Sequence, residues 1–215
     1  ISIYTSIQHF QRSSNKRDFE GREKWALAIA DPIIESAHEK LALKKTLVLL
    51  RGFDSIDDLT ELPETRFEAS AIVGMNKNQS TILDRELATK TNLFKENLSD
   101  YQVLSFSTHG LMAGETSGNL NPAVLMTEDS MGRLLDTNDI LSLNGSPSIV
   151  VLAVCNASKS IDNLDVTQIT NLANAFIMKG SDALISTYWS LNSKASVAII
   201  TETFRLYAEG IELGG

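Results

Sequence analysis

The chain has 215 residues, of which 43% are hydrophobic and 21% are charged, and its formal net charge is −8 at pH 7. These values are typical of a single globular domain with a substantial core, and the negative charge argues against direct nucleic-acid binding, which needs a basic patch. No apolar run approaches the ~18 residues of a membrane-spanning helix, so no membrane association is expected. The single cysteine, Cys155, excludes an internal disulfide and favours a reducing, cytoplasmic compartment.

Strand-like and helix-like segments alternate along the chain. Short apolar or alternating runs predict strands at residues 1–7, 25–30, 46–50, 80–83, 101–106, 123–126, 149–158 and 183–188. Helical spacing predicts helices at residues 33–43, 89–97, 137–143, 167–179 and 194–209. A further helix opens at residues 62–66, and its predicted apolar face consists of Phe67, Ser70, Ala71 and Met75. Polar surface loops are expected at residues 8–24 and, rich in carboxylates, at 54–61. We expect Thr137 to cap the helix at 137–143 and Gly180 to end the helix at 167–179.

This alternation predicts an α/β fold with three layers, in which helices cover both faces of a mostly parallel central sheet. No internal repeat or linker divides the chain, so residues 1–215 are expected to form one domain. Because the sequence starts at Ile1 rather than Met and shows no signal peptide, we expect a fragment of a longer chain.

Two of the predicted strands carry side chains that could take part in catalysis. The buried-type strand that starts at Ile149 ends on Cys155, and the strand that starts at Tyr101 leads into His109 and Gly110. In an open parallel sheet, the carboxyl ends of neighbouring strands line one crevice, so the thiol and the imidazole would meet there. A neutral imidazole can take the proton of a thiol, whose ordinary pKa near 8.5 leaves it a poor nucleophile at neutral pH.

The same residues have a structural interpretation as well. Free cysteines are among the most buried residue types and often only pack, so Cys155 after an apolar run also fits a core residue. If the pair is catalytic, the backbone N–H groups of Gly110 and Cys155 could form an oxyanion hole, since glycine lets the backbone approach a ligand closely.

The pattern resembles a known family. His109 lies 46 residues before Cys155, and caspases place their histidine about 50 residues before their cysteine. The chain is most similar to the CHAT domain, a caspase-like (clan CD) cysteine peptidase module of bacteria. Four further stretches share the family's order: Ala-Asp-Pro at 30–32, Leu-Pro-Glu-Thr-Arg at 62–66, Ala-Thr-Lys at 88–90 and Tyr-Trp-Ser-Leu at 188–191.

The resemblance implies a cysteine endopeptidase that cleaves a protein partner, needs no cofactor or metal, and follows an upstream sensor such as a TPR-like array. It implies His109 as general base, Cys155 as nucleophile and Gly110 as oxyanion donor. It implies substrate contacts at Ala153, two residues before the cysteine, and at Tyr188, Trp189 and Ser190. A role in a bacterial defence system is a further expectation from the family.

The sequence also departs from the family pattern. Asn156 stands where the family commonly has a glutamate, and a polar run to Asp165 replaces glycines. Two alternatives therefore stay open. One is a catalytically inactive, caspase-like interaction or scaffold module. The other is a flavodoxin-like domain that binds a small ligand. This second alternative ranks lower, because no glycine-rich phosphate-binding loop follows a predicted strand.

Overall fold

The computed structural model describes residues 22–34, 56, 59–113, 121–156, 166–186 and 193–208. At a few strand and helix positions, Cys155 among them, only the backbone is described. Several predicted segments lie outside the described residues: the strands at 1–7 and 46–50, most of the helix at 33–43, most of the loop at 8–24, half of the loop at 54–61, and the stretch 187–192.

The described strands form one seven-stranded sheet. They are β1 (Lys24–Pro32), β2 (Ser80–Arg85), β3 (Tyr101–Leu111), β4 (Ala123–Leu125), β5 (Leu134–Asp136), β6 (Ile149–Asn156) and β7 (Ala183–Ser186). The parallel part has the order β2-β1-β3-β6-β7. An antiparallel extension, β4-β5, joins the far end of β3 beyond the point where the β1 ladder stops. The mostly parallel sheet predicted from the sequence is confirmed.

Five described helices pack on this sheet: α1 (Thr65–Gly74), α2 (Lys90–Lys95), α3 (Thr137–Ser142), α4 (Val166–Lys179) and α5 (Ser193–Ala208). Within the described part of the chain, none of them is both long enough and apolar enough to cross a bilayer.

The sheet has an apolar core on each face, because successive residues of a strand point to opposite sides. On one face, Leu104 and Phe106 of β3 pack with Leu93, Ile140 and Phe176 of helices α2, α3 and α4. On the other face, alternating residues of β1, β3 and β6 pack against α1 and α5; they include Ala28, Val103, Val151, Ile72 and Phe204. Helices on both faces confirm the predicted three-layer architecture.

Some local predictions were wrong. Phe67, predicted to face the core, is 68% exposed, because α1 buries Thr65, Glu68, Ala69, Ile72 and Val73 instead. The cap of α3 is Asp136 rather than Thr137; its carboxylate accepts the N–H groups of Asn138 and Asp139. The short strand β5 was not predicted.

Candidate functional site

The candidate site lies where β3 and β6 run side by side. Their parallel ladder is continuous from Val103 opposite Ile149 to Gly110 opposite Asn156, and it pairs His109 with Cys155. Register partners on neighbouring parallel strands lie on the same face of a sheet. His109 was expected past the end of its strand, but it lies inside β3, which is longer than predicted, and Cys155 lies one residue before the described end of β6. The register nevertheless brings these two positions together.

His109 is held by one hydrogen bond. The ring is only 7% exposed, and its Nε2 lies 2.7 Å from the backbone carbonyl oxygen of Thr60. A carbonyl can only accept, so Nε2 carries the proton and donates it. In the neutral ring, Nδ1 is therefore a bare acceptor, and this buried atom has no hydrogen-bond partner in the described part of the chain. The geometry leaves His109 with one free site for a proton.

Burial also sets the charge of this ring. Burial lowers the pKa of His109 below its usual value, while the Thr60 carbonyl and the nearby Glu64 carboxylate act in the opposite direction. At neutral pH the imidazole is consequently uncharged, which is the form that can accept a proton.

Sequence reasoning missed Thr60. It acts through its backbone carbonyl, a group that every residue carries, so no residue-type signal could have indicated it.

The floor around the pair consists of small side chains. Ser107 precedes His109 on the same face of β3, and its ladder partners are Ala30 on β1 and Ala153 on β6. The hydroxyls of Ser105 and Ser107 are fully buried and have no hydrogen-bond partner among the described residues. An unpaired buried hydroxyl costs about 1–3 kcal/mol. These two hydroxyls precede His109 on the same face of β3, beside the apolar Ala30 and Ala153.

Gly110 lies between two strands. It stands opposite Val124 of β4 on one edge and Asn156 of β6 on the other. Whichever way its amide points, a neighbouring strand lies beside it. The predicted oxyanion role of Gly110 therefore competes with the sheet's own hydrogen bonds.

Of the predicted substrate contacts, only Ala153 is fully described. It is 6% exposed and belongs to the core cluster under α1 and α5. Tyr188, Trp189 and Ser190 lie outside the described residues, directly after β7.

An apolar hollow lies near Gly110. Its empty volume, including its open mouth, is about 290 Å³, and it is lined by Gly110, Leu111, Met112, Pro122, Ala123, Val154 and Leu172. Val154 and Leu172 belong to the core face opposite to Ala153. The hollow thus opens on the other side of the sheet from His109 and does not border its ring.

Two of the sequence stretches used above have structural roles. The hydroxyl of Thr65 accepts the N–H of Asp31 at 3.1 Å and donates to the carbonyl of Leu62 at 2.7 Å, which ties the start of α1 to the end of β1. Thr89 caps α2, and the buried Lys90 pairs with Asp139 at 2.6 Å. These contacts tie α1 and α2 to neighbouring elements of the fold.

No group of three or more His, Cys, Asp or Glu residues that could hold a metal ion occurs among the residues described.

A comparison with models of protein families covers nearly the whole chain. Residues 1–212 match the family model described as CHAT domain. No curated protein matches the chain.

Proposed function

Since the chain belongs to the CHAT domain family, which is related to the caspase-like peptidases, we propose that it is a cysteine endopeptidase that cleaves a protein partner. Cys155 is the nucleophile and His109 the general base. The observation that carries the proposal is the ladder that pairs these two residues on neighbouring parallel strands, with the Nδ1 atom of His109 bare.

The mechanism follows from the tautomer. Nδ1 accepts the thiol proton of Cys155 as the sulfur attacks the peptide carbonyl carbon, and the Thr60 carbonyl stabilises the imidazolium through Nε2–H. The carbonyl oxygen becomes an oxyanion, for which the backbone N–H groups of Gly110 and Cys155 are the proposed donors. Collapse of the tetrahedral intermediate breaks the C–N bond, and Nδ1–H gives its proton to the leaving amine.

Hydrolysis of the acyl-enzyme reuses the same base. A water molecule takes the place of the amine, His109 accepts its proton, and the thioester breaks to release the acid and regenerate the thiol of Cys155. Because burial keeps His109 uncharged at neutral pH, the resting pair consists of a neutral imidazole and a thiol rather than a preformed ion pair.

The substrate is proposed to bind as an added strand. In the described sheet, β7 pairs only with β6, so its other edge has no described strand on it. An extended peptide on such an edge gains main-chain hydrogen bonds, while pockets choose its side chains. Tyr188, Trp189 and Ser190 follow β7 and are the proposed edge contacts. Ala153 and Ser107 give the proposed pocket a small, neutral floor.

The wider setting is proposed from the family alone. It comprises a bacterial, cytoplasmic protease with a protein substrate, an upstream TPR-like or other sensor that switches it on, no direct nucleic-acid or membrane contact, and a possible place in a defence system.

A cleavage assay tests the proposal. The full-length protein is incubated with a candidate partner encoded beside it, in parallel with Cys155→Ala, His109→Gln and the control Thr203→Ala, whose hydroxyl lies on the exposed side of α5. A discrete cut that requires Cys155 and His109 but not Thr203 is expected. If the cut persists in Cys155→Ala, the mechanism is wrong.

A second candidate is a non-catalytic interaction module with the same fold. The position of Gly110 favours it, because a glycine between two strands has less freedom to offer its amide to an oxyanion. This candidate predicts that Cys155→Ala keeps the full biological effect, and that the thiol of Cys155 reacts no faster than a free cysteine.

A further inference from the structure

The stretch that orients His109 is anchored at both of its ends. Thr60, at its start, accepts the hydrogen bond from Nε2 of His109, and Thr65, at its end, is tied to β1 by the N–H of Asp31. Between them, residues 60–64 cross the carboxyl edge of the sheet without belonging to a helix or strand. The position of the Thr60 carbonyl therefore depends on what holds this connection in place.

A charged contact holds it next to Thr60. Nη1 of Arg85 lies 2.9 Å from Oε2 of Glu61, the residue that follows Thr60, and 3.6 Å from Oδ1 of Asp31. The Asp31 side chain is only 2% exposed, whereas those of Arg85 and Glu61 are 32% and 41% exposed. One guanidinium thus joins the ends of β1 and β2 to the connection that carries the Thr60 carbonyl.

The backbone is strained at both residues of β1 and β2 that take part in this contact. Asp31 has a φ of +44° and Arg85 a φ of +49°, in the left-handed region that non-glycine residues rarely adopt. They lie at the same level of neighbouring strands, where the ladder shifts register and pairs Pro32 with Arg85. Such backbone strain persists only where the surroundings hold it, and it is concentrated at functional sites.

We propose that Arg85 is a positioning residue for His109: it fixes Glu61, and through it the Thr60 carbonyl that selects the Nε2–H tautomer. This inference rests on the proposed function and deepens it, since only that tautomer leaves Nδ1 free to accept the thiol proton of Cys155. Arg85 lies on β2, two strands from β3, and acts through the connection alone.

The expected defect is specific. Without the contact, the peptide of Thr60 rotates away and the ring of His109 loses its acceptor. Both neutral tautomers then form, and the one with a proton on Nδ1 cannot act as base. Turnover falls while substrate affinity stays, because the connection touches the base and not the peptide.

The experiment compares Arg85→Met, Glu61→Gln and Arg85→Lys with a matched control, Arg66→Met. Arg66 makes an ion pair of the same 2.9 Å length, but with Asp84. Long-range ¹H–¹⁵N NMR spectra of the full chain report the tautomer of each of the three histidines, and a His109→Gln variant assigns the signal. Iodoacetamide labelling at pH 7 reports the reactivity of the only cysteine.

The wild type and Arg66→Met are expected to show Nε2–H at His109. In Arg85→Met and Glu61→Gln the tautomers mix and labelling slows about tenfold or more, since small misplacements of a catalytic group are costly. Arg85→Lys restores part of the effect, because an ammonium reaches one carboxylate but not two in fixed geometry.

A single Nε2–H tautomer in both Arg85→Met and Glu61→Gln overturns the inference. Should Arg85→Met fail to fold, Glu61→Gln decides alone, because it leaves the contact of Arg85 with the buried Asp31 intact. The proposed function fails separately. A labelling rate that does not change in His109→Gln refutes the catalytic pair, whereas a His109 tautomer that still depends on Arg85 supports the positioning role.

Discussion

Substitution of Lys90 tests whether the Ala-Thr-Lys stretch at 88–90 stabilises the fold. Its side chain is buried, with the residue only 6% exposed, and Nζ lies 2.6 Å from Oδ2 of Asp139 and 3.0 Å from the carbonyl oxygen of Leu134. Asp139 also accepts the N–H of Asp136 and is 22% exposed. The pair thus ties the start of α2 to β5 and α3.

The magnitudes follow from burial. At 2.6 Å and an effective dielectric constant near 20, the attraction is about 6 kcal/mol, most of which the desolvation of both charges offsets. What a variant measures is the charge left alone. Asp139→Asn leaves the buried ammonium of Lys90 without a counter-ion and should destabilise the fold by about 3–4 kcal/mol. Lys90→Met should cost less, about 2 kcal/mol, because Asp139 keeps the N–H of Asp136 and some water.

Urea denaturation, followed by circular dichroism, measures these changes in the free energy of unfolding. In thermal denaturation, ~1 kcal/mol corresponds to a shift in Tm of roughly 2–4 °C for a chain of this size. The double variant should lose no more stability than Asp139→Asn alone. Arg205→Met is the control, since its ion pair with Glu202 has nearly the same length, 2.7 Å, but lies on the surface, and no measurable change is expected. Single variants at Lys90 and Asp139 that are as harmless as this control would refute the reasoning.

Further predictions concern His109 and two glycines. Burial lowers the folded-state pKa of His109 below the unfolded value of about 6.5, so the unfolded chain binds more protons. The free energy of unfolding should therefore fall as pH drops below ~6.5. In denaturation curves measured from pH 8 to 5, His109→Gln should make this dependence on pH weaker. Gly145→Ala should destabilise by about 2 kcal/mol or more, because its φ is +72° and a Cβ would lie 2.4 Å from Oγ of Ser99, whereas Gly74→Ala, with open space and a helical backbone, should be neutral or stabilise by about 0.5–1 kcal/mol. Equal Tm shifts for the two alanine variants would contradict the glycine prediction.

The sequence carried the central architecture well. The apolar run from Ile149 and the run from Tyr101 could only be buried strands, and their alternation with helical spacing led to a parallel sheet with helices on both faces. Such runs mark the middle of a strand better than its end, which is why β3 continues past its predicted limit and includes His109, while β6 includes Cys155 as predicted.

The errors have physical causes. Phe67 was predicted to lie on the apolar face of its helix, but α1 turns Ala69 and Ile72 to the sheet and leaves Phe67 on the exposed side. Asp136 was overlooked as the cap because Thr137, beside it, is an equally good capping residue. The reciprocal bond from Asp139, three residues later, was the available signal.

The contacts that position the imidazole could not be predicted. The Thr60 carbonyl is a backbone group without a sequence signature. The contact of Arg85 with Glu61 and Asp31 joins residues far apart along the chain. Arg85 and Asp31 also have left-handed backbone conformations, which their residue types do not predict.

The most direct test of the account is the rate at which iodoacetamide labels Cys155 at pH 7 in the wild type and in His109→Gln. There is only one thiol in the chain, so the count of labelled protein by mass spectrometry is unambiguous. The account predicts that the wild type reacts about tenfold or more faster, because the bare Nδ1 of His109 takes the thiol proton as the new bond forms. Equal rates, both following an ordinary thiol pKa near 8.5, would contradict it.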